Sequence, residues 1–145
     1  MIDITPLSSS DRAAWQPLAV GYNAFYERVL PDADYDRTWR RLMEGRELHG
    51  LGARLDGRMV GIAHYLFHAG VWLGQACYLA DLFVDEAMRG QGAARALIEA
   101  VADAARRQGC GRYYWLTKRD NVRARGLYDK VGRFAGFIRY DYPIG

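Results

Sequence analysis

The residues best suited to chemistry begin with the run Arg89-Gly90-Gln91-Gly92-Ala93-Ala94, which lies between an apolar stretch and an amphipathic one. A helix N-terminus leaves several backbone N–H groups unpaired and carries a partial positive charge. Glycines let that backbone come close to an anion, so this position is suited to a pyrophosphate. A plain Gly-rich turn at a helix start is the bland alternative. Two other phosphate loops are excluded. A P-loop ends in Gly-Lys-Ser/Thr, where this chain has Ala93-Ala94-Arg95. A dinucleotide fingerprint on Gly90-x-Gly92 wants Gly or Ala at Arg95 and an acidic residue where Thr117-Lys118 stand.

A second group follows downstream. Asn121, Arg125 and Tyr128 are spaced i, i+4, i+7 and share one face of a short helix. With a pKa of ~10, a tyrosine is protonated at neutral pH and can give a proton to a thiolate, whose thiol titrates near ~8.5. Packing between sheet and helix is the competing role for Tyr128. Among carboxylates, Asp81 sits in an apolar run and is the candidate base, against a purely structural role. Strand alternation leaves its facing open. Glu27, His64 and Tyr78 are lesser candidates. Tyr26, Trp39, Trp72 and Tyr78 are candidates to line an acceptor pocket, since aromatic rings suit an aliphatic ammonium. Asp32, Asp34 and Asp36 either attract a cation or cap the helix that follows.

These residues need elements to position them. Ile2 to Leu7 reads as a short edge strand, and Ser9-Ser10 cap a helix from about Asp11 through Tyr22. A second helix runs from about Asp34 to Glu44, ended by Gly45. Strands His49–Leu55 and Met59–Phe67 are joined by Asp56-Gly57, a strong hairpin signal. Cys77 to Val84 is a nearly continuous apolar strand, which suggests burial on both faces. From Gly92 to Gln108, Ala94, Leu97, Ile98, Val101 and Ala105 recur at helical spacing, and Gly109 ends the helix. A strand Arg112 to Thr117, a helix Asn121 to Val131 and a final strand Phe137 to Tyr142 complete the order β-α-α-β-β-β-α-β-α-β. The crossover between residues 77 and 117 implies one parallel pair inside a mixed sheet.

Composition narrows the partners. The chain has 145 residues, half of them hydrophobic, enough for one domain with its own core. Its two cysteines, Cys77 and Cys110, lack metal-ligand spacing and read as reduced core residues. No apolar run reaches the ~18 residues of a membrane span, and no signal peptide is read at the N-terminus. The expectation is a cytoplasmic protein with no membrane partner. A net charge of +3, with arginines dispersed, argues against nucleic acid and suits a phosphorylated small ligand.

The signature Arg/Gln-x-x-Gly-x-Gly/Ala of the GNAT acetyltransferase superfamily resembles the run holding Arg89, Gly92 and Ala94. Asn121-x-x-Ala124-x-x-Leu127-Tyr128-x-x-Val131-Gly132 is similar to the family's second motif, at the usual distance. Within the superfamily the chain most resembles the histone/polyamine acetyltransferase branch, through Cys77 to Val84, Trp115-Leu116-Thr117 and Leu127 to Gly132. Where spermidine/spermine enzymes carry Glu, this chain has Ala80, which leaves polyamine specificity and the base open.

The resemblance implies the acyl-CoA N-acyltransferase fold: an α/β (α+β) domain with a mixed, mostly antiparallel sheet, a splayed parallel pair, and helices on both faces. It implies acetyl-CoA as cosubstrate and no metal. Residues Arg89, Gly90, Gln91, Gly92, Ala93, Ala94 and Arg95 would hold the donor's phosphates. Asn121 and Arg125 would lie along its arm, and a bulge near Leu82, Phe83 and Val84 would free N–H groups for the thioester. Tyr128 would protonate the leaving thiolate, with Asp81 or ordered water serving the amine. The acceptor is left open among small primary amine, polyamine, amino acid and protein amine, with a small primary amine favoured. The terminal strand implies a homodimer. The readings that compete with catalysis are a non-catalytic acyl-CoA sensor of the same fold and an interaction protein using that strand.

Overall fold

The structure is a computed structural model that describes residues 1–145. Its centre is one five-stranded sheet in the order β1 (Ile2–Pro6), β2 (His49–Leu55), β3 (Arg58–Ala69), β4 (Gln75–Val84) and β5 (Arg112–Tyr114). The first three pairings are antiparallel and β4–β5 is parallel. The β2–β3 hairpin turns on Asp56 and Gly57, both at positive φ (51° and 83°), the conformation a two-residue turn of primed type demands.

Helices cover both faces. On one side lie α1 (Arg12–Phe25) and α2 (Asp32–Glu44), and on the other α3 (Ala93–Gln108). The apolar stripe of α3 puts Leu97, Ile98, Val101 and Ala105 into a core with Val60, Ala63, Tyr65, Leu79 and Val84. Gly109, at φ 75°, closes that helix with its amide on Ala105 and Arg106 carbonyls. The opposite core gathers Trp15, Leu18, Tyr35, Trp39 and Leu42 over Met59 and Ile62. A short helix, α4 (Val122–Val131), follows β5. The architecture is the mixed α/β sheet expected from the sequence, splayed parallel pair included. No helix is long and apolar enough to cross a membrane.

Two expected strands differ. β5 ends at Tyr114 rather than Thr117, because β4 and β5 part there and the ladder has no further partner. Phe137 to Tyr142 forms no strand: the whole segment is exposed and no ladder pairs it. Its alternating pattern is that of a strand, but ladder structure needs a second edge.

Candidate active site

The parallel ladder joins only Ala76–Tyr78 to Arg112–Tyr114. Beyond Tyr78 the two strands diverge, and a cavity of about 1120 Å³ opens in the cleft. It brings together Tyr22, Tyr26 and Arg28 from α1 and the turn after it, Tyr78 and Asp81 from β4, and Arg125 and Tyr128 from α4.

The aim of Asp81 is set by a β-bulge. His64 pairs with Asp81 and Tyr65 with Leu79, so Ala80 is an extra residue on β4. Cys77 and Leu79 therefore point into the α3 core, while Asp81 and Phe83 turn to the α1 side. Without the bulge Leu79 and Asp81 would share a face. The expected bulge near Leu82–Val84 thus lies upstream, at Ala80. Leu82, Phe83 and Val84 pair in register with Ala63, Ile62 and Gly61, and their other edge borders the splay. Gly21 lets α1 approach: a Cβ there would sit 2.7 Å from the Phe83 ring.

Burial is the largest influence on Asp81 and opposes its ionisation, but the hydrogen bond from His64 together with Tyr22 and Arg28 outweighs it and holds the carboxyl below the ordinary range. The His64 Nδ1 to Asp81 Oδ2 distance is 2.8 Å. Tyr22 is pushed up by burial and by the neighbouring Asp81, so it stays a hydroxyl donor. Tyr26 sits 5.2 Å from Tyr22, centroid to centroid, with the Arg28 guanidinium and the Lys118 ammonium over its ring at 5.3 and 5.7 Å.

Across the cavity, Tyr128 is half-buried on α4, edge-on to Trp115 at 5.5 Å. Gly132 ends the helix against the same indole, where a Cβ would meet a ring carbon at 3.1 Å. Burial, then the nearby Tyr26, raises the Tyr128 phenol, so it carries its proton at neutral pH. Asn121 is the N-cap residue of α4, and its amide donates to Thr117 Oγ1 at 3.1 Å. The Arg125 guanidinium donates to the Arg119 carbonyl at 2.8 Å and covers the Phe134 ring at 5.3 Å.

The Gly-rich loop stands at the N-terminus of α3, outside this cavity, joined to it by the end of β4 and the turn Glu86–Met88. Gly90 and Gly92 have φ of 84° and 86°, and open space surrounds both Cα positions. Conformation, not crowding, is what calls for glycine there. No side chain caps α3 and no acid occupies its first turn. The leading amides of Ala93, Ala94 and Arg95, with the Arg89 and Arg95 guanidiniums nearby in sequence, fit an anionic diphosphate.

Tyr26 and Tyr78 line the cavity, while Trp39 and Trp72 lie outside it. Trp39 is 8% exposed and packs at a tilt against Trp15, 5.0 Å between centroids, where α2 buries its apolar face. Trp72 is 96% exposed on the turn between β3 and β4. Tyr22, Arg28 and Trp15 were not among the candidates. Trp15, Tyr22 and Tyr26 recur at i, i+7, i+11, a helical face that could have pointed to them. No three His, Cys, Asp or Glu side chains are grouped to hold a metal ion.

Comparison with known proteins bears on the family and the fold. Residues 15–132 match the model of the acetyltransferase (GNAT) family. The D-amino-acid N-acetyltransferase HPA3 of Saccharomyces cerevisiae is 34% identical over 134 residues, covering 90% of this chain and 83% of that protein. The thialysine N-epsilon-acetyltransferase of Caenorhabditis elegans is 30% identical over 92 residues, 63% of this chain and 58% of its own length. Among solved structures, a ribosomal-protein-alanine N-acetyltransferase from Brucella melitensis biovar Abortus 2308 superposes with a TM-score of 0.82 at 27% identity, each chain covered fully. The aminoglycoside N-acetyltransferase AAC(6')-Iy, in complex with CoA, shares the fold at a TM-score of 0.88 and 17% identity, with 100% of this chain and 96% of that one covered. By the family model and these relatives, the chain belongs to the GNAT family and is an N-acetyltransferase.

Proposed function

We propose that the chain transfers the acetyl group of acetyl-CoA to a small primary amine, amino acids among them, by direct attack while both substrates are bound. One observation carries this reading: Asp81 from β4 and Tyr128 from α4 line the same cavity, where β4 and β5 part. The donor's diphosphate would lie on the α3 N-terminus, with its thioester reaching along β4 past Leu82–Val84 into the splay. Asn121 and Arg125 would flank its arm.

A carboxylate held below its ordinary range is a weak proton acceptor, so Asp81 serves chiefly as the negative anchor for the acceptor's ammonium. The ammonium loses its proton to water in the open cavity. As the new C–N bond forms and the C–S bond breaks, the Tyr128 hydroxyl gives its proton to the departing thiolate, and the second proton shed by the nitrogen returns through water to the Tyr128 phenolate. Arg28, on the same wall, suits an acceptor that also carries a carboxylate. Support for that class comes from the relatives named for D-amino acids and thialysine. The exposed segment Phe137 to Tyr142 would join two copies into a homodimer. Light scattering should then give twice the 16.5 kDa chain mass, and a monomer would remove the idea.

The test is thiol release from acetyl-CoA with a panel of D- and L-amino acids, polyamines, simple amines and basic peptides. Turnover should require one acceptor class, and Tyr128→Phe should lower kcat by ~10²-fold. Tight acetyl-CoA binding with no turnover against any acceptor would turn the reading to a sensor.

A further inference from the structure

Behind Asp81, away from the cavity, the α1 core contains a polar chain that the acetyl transfer itself does not call on. The indole Nε1 of Trp15 lies 2.9 Å from Nε2 of His64, and His64 Nδ1 lies 2.8 Å from Asp81 Oδ2. Trp15 is 1% exposed and His64 7%, so the first contact is dry. An indole N–H can only donate. His64 must therefore accept at Nε2, which assigns its single proton to Nδ1, and Nδ1–H donates to the carboxylate. The imidazole is neutral in this arrangement, because a second proton would have to sit on the nitrogen that faces the indole hydrogen.

The surroundings over-determine the geometry. Trp15 is wedged against Trp39 and Tyr35, at 5.0 and 6.2 Å between centroids. His64 and Asp81 are direct partners across the β3–β4 ladder, and the bulge at Ala80 puts both on the α1 side. Asp81 Oδ1 takes no part in the bond to His64. Arg28 and Tyr22 are the other polar groups acting on this carboxylate.

We propose that Trp15 and His64 are positioning residues for the acceptor: they fix the rotamer of Asp81, leave one oxygen for the incoming ammonium, and keep the imidazole uncharged so that the carboxylate's charge is not cancelled. A charged imidazole in the same place would make a neutral ion pair and weaken the site for a cation. His64 is then not the base of the reaction, although its type and its closeness to the cavity invite that assignment. The inference rests on the acetyl-transfer reading above for its acceptor, and on the hydrogen-bond chain alone for its lock.

Two measurements test it. Imidazole ¹⁵N NMR of the intact protein, with the His64 signals assigned through His64→Gln, should show Nδ1 protonated and Nε2 bare. The opposite tautomer, or a doubly protonated ring at neutral pH, overturns the lock. In kinetics, His64→Leu should raise the KM of the acceptor on the order of tenfold, from loss of a hydrogen bond to a charged group, with the KM of acetyl-CoA little changed. His64→Gln can accept from Trp15 and donate to Asp81 without ionising, so it should restore the acceptor KM. A fall in kcat in both variants at unchanged acceptor KM would make His64 the base and overturn the proposal. A wild-type chain that binds acetyl-CoA without turnover overturns the acceptor half and the transfer reading together, while the tautomer still decides the lock.

Discussion

The two faces of the sheet are built from different materials. Against α3 the core is apolar throughout, with Leu97 and Val101 fully buried over Val60, Ala63 and Leu79. Against α1 and α2 it is aromatic, and both buried polar residues of the chain, Asp11 and His64, belong to that side. Asp11 starts α1, where it accepts from the Ser8 amide at 2.8 Å and from Arg54 at 2.7 Å. Burying such groups costs desolvation and repays it only through well-made hydrogen bonds. An apolar face can absorb that cost without needing any orientation of its own. The α3 side thus supplies stability, and the α1 side supplies direction to the groups that meet the acceptor.

That division can be broken deliberately. The largest effect should come from the apolar face. Leu97→Ala empties a fully buried site and should cost about 2–5 kcal/mol of stability, read by denaturant unfolding, with turnover per folded molecule kept. A comparable loss of turnover in folded protein would mean the faces are not separable. Next is Asp11→Asn, which weakens a largely buried ion pair and should cost about 1–3 kcal/mol.

Its pH signature has a definite sign. Burial raises the Asp11 carboxyl, but the Ser8 amide and Arg54 more than offset this and hold it below the ordinary value. The folded chain then binds fewer protons than the unfolded one in that range. Its contribution is complete above the ordinary pKa of ~3.9 and is lost as pH falls through the lowered folded value. Acid unfolding of Asp11→Asn should be correspondingly flatter. The smallest change is Gly92→Ala. With nothing within 4 Å of the added carbon, only the positive φ is penalised, by about 1–2 kcal/mol. Its larger readout should be a raised KM for acetyl-CoA, since the loop sits at the helix start.

The sequence made the α3 side easy to read, because helical spacing and the Gly92 and Gly109 boundaries are local signals. The hairpin at Asp56-Gly57 was legible for the same reason. Its limits lie where a long-range partner decides the outcome. Phe137 to Tyr142 has a strand's alternation but no edge to pair with, and Trp39 is as suitable for a pocket as for a core until α2 is docked. The facing of Asp81 was open because strand alternation assumes no bulge. One local hint existed: Cys77 and Leu79 against Leu82 and Val84 shift the apolar phase by one residue, and that shift marks Ala80. The hydrogen bond from His64 carried no such hint, since residues 17 apart meet there only through the register of β3 on β4.

Acceptor binding turns on the charge of Asp81, and Asp81→Asn tests this most directly because the amide oxygen can still accept from His64. Steady-state thiol release with the best acceptor should show kcat/KM for that acceptor falling by about 10²-fold, the cost of removing one partner of a desolvated charge pair. Acetyl-CoA binding and the melting temperature should stay near wild type. An unchanged kcat/KM for the acceptor would contradict the account and leave the carboxylate a structural group of the α1 core.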